Sequence, residues 1–238
     1  TYLERRLVEA NVKKDKEMHL SLGADKPMDV FGGPWENYVE KIKLGFSSLH
    51  ADDVCVLCGD LAWGMTMEQA LPDFQFIEAL PGKKILLKGN HDFWWSTAKK
   101  AYDFFEAHDM HTMDILNNNC YFYGDYAICG TRGWFYEEAK GEAHDRKIML
   151  REVGRLETSL KAAGDRTKLV FLHYPPKYLG YECPEILDLL DAYHVPLCCY
   201  GHIHSRGCRS AFQGMYHDTE FRLLSADYIS FCPRRILP

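Results

Sequence analysis

Lys84-Ile85-Leu86-Leu87-Lys88-Gly89-Asn90-His91-Asp92 is the stretch that decides the fold. An apolar run of strand length stops at a glycine, and the next three side chains can each bind a metal or move a proton. Three other stretches follow the same plan. Asp53-Val54-Cys55-Val56-Leu57-Cys58 stops at Gly59-Asp60. Lys168-Leu169-Val170-Phe171-Leu172 stops at His173. Pro196-Leu197-Cys198-Cys199-Tyr200 stops at Gly201-His202-Ile203-His204. In α/β sheets, ligands bind beyond the carboxyl ends of strands. Four such ends can therefore meet in one crevice although they lie far apart in the chain.

Helical patterns separate these strands. They cover residues 34–50, 67–80 (with Pro72 splitting the segment or marking an early turn), a stretch from Ser96 as N-cap to about His108, 142–163 and 184–193. The 142–163 segment carries an apolar stripe of Met149, Val153, Leu156 and Leu160 and stops at Gly164. Two strands at 119–124 and 126–130 meet at Gly124-Asp125, a plausible hairpin turn. Residues 221–224 and 227–231 read as a final strand pair. Strands alternating with helices first, and paired strands later, predict mixed sheets with helices outside rather than one parallel doubly wound sheet.

Composition narrows the class. The chain has 238 residues, 47% hydrophobic and 26% charged, enough apolar mass for one large core. The formal net charge of −6 and the absence of a Lys/Arg block give no strong nucleic-acid signal. No apolar stretch is long enough to span a bilayer, so no membrane partner is expected. The nine cysteines are scattered, and several sit inside apolar runs. Buried free thiols in a reducing cytoplasm are the expectation. Cys55-x-x-Cys58 matches a redox spacing only by letter, because a redox pair sits at a helix start.

The residue types at the strand ends belong together chemically. Aspartate offers a hard oxygen able to bridge two cations, histidine a neutral ring nitrogen, and asparagine an amide oxygen. Mixed O/N ligation without thiolate suits Mn, Fe or Zn. One shared carboxylate would hold two metals roughly 3.5–4 Å apart, with a bridging hydroxide as nucleophile. The two imidazoles of His202-x-His204 can point into one crevice, serve different metals, or be a surface pair.

With Gly59-Asp60, Gly89-Asn90-His91-Asp92, His173 and Gly201-His202-Ile203-His204, the chain resembles the calcineurin-like metallophosphoesterase superfamily. The likeness runs from about residue 17 to the C-terminus. It implies a four-layer α/β/β/α sandwich of two mixed β-sheets flanked by helices, and a centre of two divalent metal ions. Carried over, Asp60 is the bridging carboxylate. Asn90, His173 and His202 ligate one metal, and His204 the other. His91 is the histidine near the leaving-group oxygen, with Asp92 orienting it. Where the family opens with Asp-x-His, this chain has Glu17-Met18-His19, which makes Glu17 and His19 the remaining candidate ligands. Residues 1–16 are highly charged and read as a divergent or non-native segment ahead of a single domain over 17–238.

The implied activity is metal-dependent hydrolysis of a phosphate mono- or diester on a small phosphorylated substrate. The alternatives are a catalytically impaired scaffold that binds a protein partner, and a nuclease of the same fold. Thr131-Arg132-Gly133-Trp134 follows a strand and supplies candidate substrate contacts. Arg132 can fork onto phosphate. Trp134 can stack on a base, or be a buried wall. Substrate identity and oligomeric state are left open.

Overall fold

The computed structural model describes residues 18–24, 28, 32–135 and 142–237. Two sheets lie face to face. The smaller contains β1 (Val54–Leu57), β2 (Lys83–Leu86) and β3 (Met113–Ile115), all parallel, in the order β1-β2-β3. The larger contains β4 (Cys120–Tyr123), β5 (Tyr126–Thr131), β6 (Thr167–Leu172), β9 (Leu197–Tyr200), β10 (Gly214–Tyr216) and β11 (Thr219–Leu223). Its order is β10-β11-β9-β6-β5-β4, a parallel centre with an antiparallel strand at each edge. The mixed character expected of both sheets thus resides in the larger one. A two-stranded ribbon, β7 (Lys177–Tyr178) with β8 (Tyr181–Glu182), stands apart.

Period-two alternation explains why there are four layers. Successive strand side chains point to opposite faces, and a strand covered on both faces reads as a continuous apolar run. Leu169, Phe171, Leu197 and Cys199 face inward and pack with Cys58, Ile85 and Leu87 between the sheets. Val170, Leu172, Cys198 and Tyr200 face outward, against α4 (Glu142–Ala162) and α5 (Pro184–Ala192) through Leu156, Leu160, Ile186 and Leu190. The smaller sheet sends Leu57, Leu86 and Ile115 toward α1 (Tyr38–Phe46), α2 (Leu71–Ala79) and α3 (Ala98–Ala107), where they meet Ile42, Phe74, Ile77 and Phe105. Each such side chain, fully buried, contributes about 1.5–3 kcal/mol.

Local chemistry adjusts the expected boundaries. Pro72 does not split a helix; it occupies the first turn of α2, where a missing N–H costs nothing. The cap of α3 is Thr97 rather than Ser96, and its hydroxyl accepts Lys100 N–H at 3.2 Å. The 124–125 hairpin stands, with Tyr123 opposite Tyr126 and Gly124 at φ +56°. The last strand pair does not. The antiparallel partner of β11 is β10, and 226–231 is a turn whose bonds are local, Ile229 N–H to Ser225 O and Phe231 N–H to Ala226 O. Phe231 imitates a strand residue because it is buried, but its burial is set by Trp35, at 5.1 Å between rings, not by a sheet. Strand β3, only three residues long, is too short to show a pattern in the sequence.

One device under α2 is invisible to pattern reading. Lys84 lies in β2 and is fully buried. Its ammonium donates to the carbonyls of Leu80 (2.7 Å) and Gly82 (2.8 Å), capping the chain as it leaves the helix.

Candidate metal centre

Strands β1 and β2 run parallel in the smaller sheet and β6 and β9 in the larger, and the approach of Asp60 to His173 (3.6 Å) brings the carboxyl ends of the two sheets to one rim. Asp60 follows β1, fully buried, in a left-handed backbone conformation at φ +48°. Its Oδ1 accepts the backbone N–H of His91 at 2.7 Å. Its Oδ2 stands 3.6 Å from His173 Nε2 and 3.7 Å from His19 Nε2. One carboxylate oxygen therefore has an imidazole on either side.

The first side is dense. His173 Nδ1 lies 2.9 Å from the Cys58 carbonyl, an oxygen that can only accept, so the proton sits on Nδ1. Nε2 then presents a lone pair toward Asn90 Oδ1 (2.6 Å) and His202 Nδ1 (3.3 Å). Asn90 Oδ1 is also 3.1 Å from His202 Nδ1. Asp60, His173 and His202 offer ligand atoms that all lie within 4.8 Å of one another. Burial, followed by the nearby charges of His173, His204 and His91, pushes the pKa of His202 well below the usual histidine range, so its ring is neutral. These atoms are close enough to serve together as donors to one cation. A hard carboxylate oxygen, an amide oxygen and two imidazole nitrogens are a donor set that fits a divalent metal.

The second side is looser. The His19 ring stacks on Trp63 at 5.0 Å and lies 6.0 Å from the His204 ring. His204 Nδ1 is held by Asp227 Oδ1 at 2.6 Å, and Asp227 Oδ2 accepts Ser205 N–H at 2.7 Å. A carboxylate on one ring nitrogen fixes the tautomer and turns Nε2 toward a metal. Asp227 is thus a site residue that the strand assignment over 227–231 concealed.

Two glycines make the crowding possible. A Cβ on Gly89 would fall 1.9 Å from Asp60 Oδ1, and one on Gly59 would fall 2.8 Å from His173 Nδ1. Both also lack room for any L side chain near the opposing backbone, so the Gly-Asp and Gly-Asn-His motifs are packing requirements as well as chemical ones.

His91 sits half-buried at the mouth, 4.6 Å from the Trp63 ring and 5.5 Å from His19. Asp92, expected to orient it, has another task. Its Oδ1 accepts Leu61 N–H (2.7 Å), Ala62 N–H (3.3 Å) and the Trp94 indole (2.9 Å), and its Oδ2 accepts Gly89 N–H (2.7 Å). Asp92 therefore ties the loop of Asp60 to the loop of Asn90.

Arg132 lies at the rim, and its carbonyl accepts the N–H groups of His173 (3.2 Å) and Tyr174 (2.9 Å). Trp134 is buried, with its indole directed at Asp145 Oδ1 (3.3 Å) and the Arg132 guanidinium 4.9 Å above its ring. Burial closes the stacking role considered for Trp134; the ring carries Arg132 instead. Glu17 lies outside the described residues.

The family described as calcineurin-like phosphoesterase matches residues 29–206. No curated protein matches the chain. Similar solved structures include AQ665 from Aquifex aeolicus, titled a protein of unknown function. It is 15% identical with a TM-score of 0.45, over 82% of this chain and 78% of that one. Another is TT1561 of Thermus thermophilus, 15% identical with a TM-score of 0.47, over 77% and 80% of the two chains.

Proposed function

Because the chain belongs to the calcineurin-like phosphoesterase family, we propose that it is a metal-dependent phosphohydrolase that cleaves a phosphate mono- or diester on a small substrate. The observation that carries this reading is the placement of Asp60 Oδ2 between His173 Nε2 and His19 Nε2, at 3.6 and 3.7 Å. Asn90, His173 and His202 would hold one divalent cation, His19 and His204 the other, and Asp60 would be shared. Mn, Fe or Zn fits these donors. When bound, the pair supplies charge neutralisation at the phosphoryl group and an acidified nucleophilic water at neutral pH.

The chain's own residues do the rest. His202, neutral through burial, offers its lone pair without first losing a proton. Asp92 fixes the spacing between the Asp60 and Asn90 loops through four N–H bonds. His91, at the mouth, hands a proton to the departing oxygen. Its ring lies 4.6 Å from that of Trp63, and its backbone N–H is bonded to Asp60. Arg132 contacts the phosphorylated substrate at the rim. The nine thiols are unpaired, which favours a reducing compartment, the cytoplasm.

Metal analysis with an aryl phosphate monoester and diester assay tests the reading. Two metals per chain with turnover of either ester supports it. One metal or none, with no turnover, leaves a partner-binding scaffold. Replacing His91 by Ala should keep the metals and lower turnover of a poor leaving group about 10²–10⁴-fold. Unchanged turnover removes His91 from the chemistry.

A further inference from the structure

We propose that Cys120 and Cys129 are a redox modification site, whose two thiols close into a disulfide across the β4–β5 hairpin when a peroxide oxidises the chain. The site lies outside the metal centre and is independent of the reading of that centre.

The register of the hairpin carries this inference. Cys120 on β4 stands directly opposite Cys129 on β5. Among the described residues, no other strand pairing sets two cysteines opposite each other. The turn has two residues, Gly124 and Asp125, so the flanking Tyr123 and Tyr126 are a hydrogen-bonded pair. Bonded and non-bonded pairs alternate along an antiparallel ladder. Counting back through Phe122–Ala127 and Tyr121–Ile128 makes Cys120–Cys129 a non-bonded pair. The next position agrees with the count. There Ser159 of α4 bridges the two strands, accepting Gly130 N–H at 3.0 Å and donating to the Asn119 carbonyl.

A non-bonded pair holds its Cα atoms about 4.5 Å apart with the side chains on one face. A disulfide spans Cα separations of about 4.4–6.8 Å, so the pair closes without moving the backbone. Both cysteines pack into the cluster under α4. Cys129 is fully buried, with Sγ 3.6 Å from the Ser159 carbonyl. Cys120 is half-buried on the edge strand of the larger sheet, so peroxide reaches it first. Its sulfur attacks the peroxide, the O–O bond breaks, and sulfenic acid and water result. The Cys129 sulfur then attacks that of Cys120. The S–S bond forms, the S–O bond breaks, and a second water leaves with the thiol proton. Two electrons pass from the two sulfurs to one peroxide. Burial pushes the pKa of both thiols up, that of Cys129 to about 12, so thiolate is scarce and the site answers sustained oxidant rather than a brief pulse. Closed, it ties β4 covalently to the strand that ends at Thr131, beside Arg132.

Mass spectrometry of the full chain treated with hydrogen peroxide under native conditions tests this. Remaining thiols are alkylated, and the chain is cleaved at Asp125 without reductant. That cut parts the two cysteines, so the bond shows as two fragments held together until dithiothreitol releases them. This linkage should be the first disulfide within the chain to appear. Cys232, an exposed thiol, reports that the oxidant has acted. In Cys120→Ser the linkage should be lost and Cys129 should stay fully alkylated under the same treatment. Three results overturn the site. One is Cys120 and Cys129 both alkylated after Cys232 is oxidised. Another is a different pair of cysteines in the chain linking first. The last is Cys120 passing to sulfinic acid while Cys129 remains a free thiol.

Discussion

On one flank of Asp60 the three donors arrive on the first or second loop residues after parallel strands, or a few residues beyond. Asn90 follows β2, His173 follows β6 and His202 follows β9, and their polar atoms lie 2.6–3.4 Å apart in pairs. On the other flank His19 precedes every described strand. It is held by backbone bonds across to Asp60 and Leu61, His19 N–H to Asp60 O and Leu20 N–H to Leu61 O, both 2.9 Å. His204 reaches the same side from a loop, steadied by Asp227. The first flank is thus carried by the ends of three strands that pair within the two sheets. The second joins a short backbone ladder at His19 to a loop whose histidine is steadied by one carboxylate. The comparison teaches that one half of the centre is built by the fold and the other by its loops.

The largest effect should come from removing what both flanks share. Replacing Asp60 by Asn keeps the volume but removes the charge between His19 and His173. Metal content should fall on both sides, and turnover should drop beyond the ~10⁴-fold upper end of a general-acid loss. Retention of one tightly held metal in this variant would show that the flanks are independent and break the comparison.

A smaller effect should separate them. Asp227→Asn leaves His204 without its carboxylate, and outer-shell losses of this kind cost about 10–100-fold in metal affinity. Titration with Mn²⁺ should show one weakened site and one unchanged. Equal weakening of both sites would mean that Asp227 serves the whole crevice.

The smallest effect is read in stability. Asp73, in α2, accepts Leu22 N–H at 2.7 Å and so anchors the loop that follows His19. Burial outweighs that bond and pushes its pKa up to about 6. A folded-state value above the unfolded one means that the fold favours the protonated acid. This contribution is fully present below about pH 4 and lost as pH rises through 6. Asp73→Asn should therefore match the wild type near pH 4 and exceed it at pH 8, by at most about 3 kcal/mol at 1.36 kcal/mol per unit. Urea denaturation at the two pH values checks it. A gap that is larger at pH 4 would reverse the assignment.

The two flanks also differ in how far the sequence discloses them. The strand-end donors are legible because central parallel strands read as apolar runs, and each run halts at a glycine, which the packing requires at Gly59 and Gly89, or directly at the donor itself. Asp60, Asn90, His173, His202 and His204 all stand out on that signal or by resemblance, and the structure brings them together with His19. The supporting residues are not legible. Asp227 sits in a turn whose tyrosine, isoleucine and phenylalanine imitate strand alternation. Asp92 reads as the partner of a ring, whereas its oxygens hold backbone of both loops. The left-handed backbone at His19 (φ 41°), Asp60 (φ 48°) and His202 (φ 68°) has no sequence marker, since such conformations ordinarily select glycine or asparagine. Trp134 shows the same limit from the other direction, because only tertiary packing distinguishes an open aromatic wall from a buried prop.

Anomalous diffraction from crystals grown with Mn²⁺ tests the central claim most directly. The account predicts two peaks, one between Asp60 Oδ2 and the Asn90–His173–His202 group and one between the same oxygen and His19 with His204. A single peak away from Asp60, or two peaks on one side of it, would contradict a carboxylate shared between the flanks.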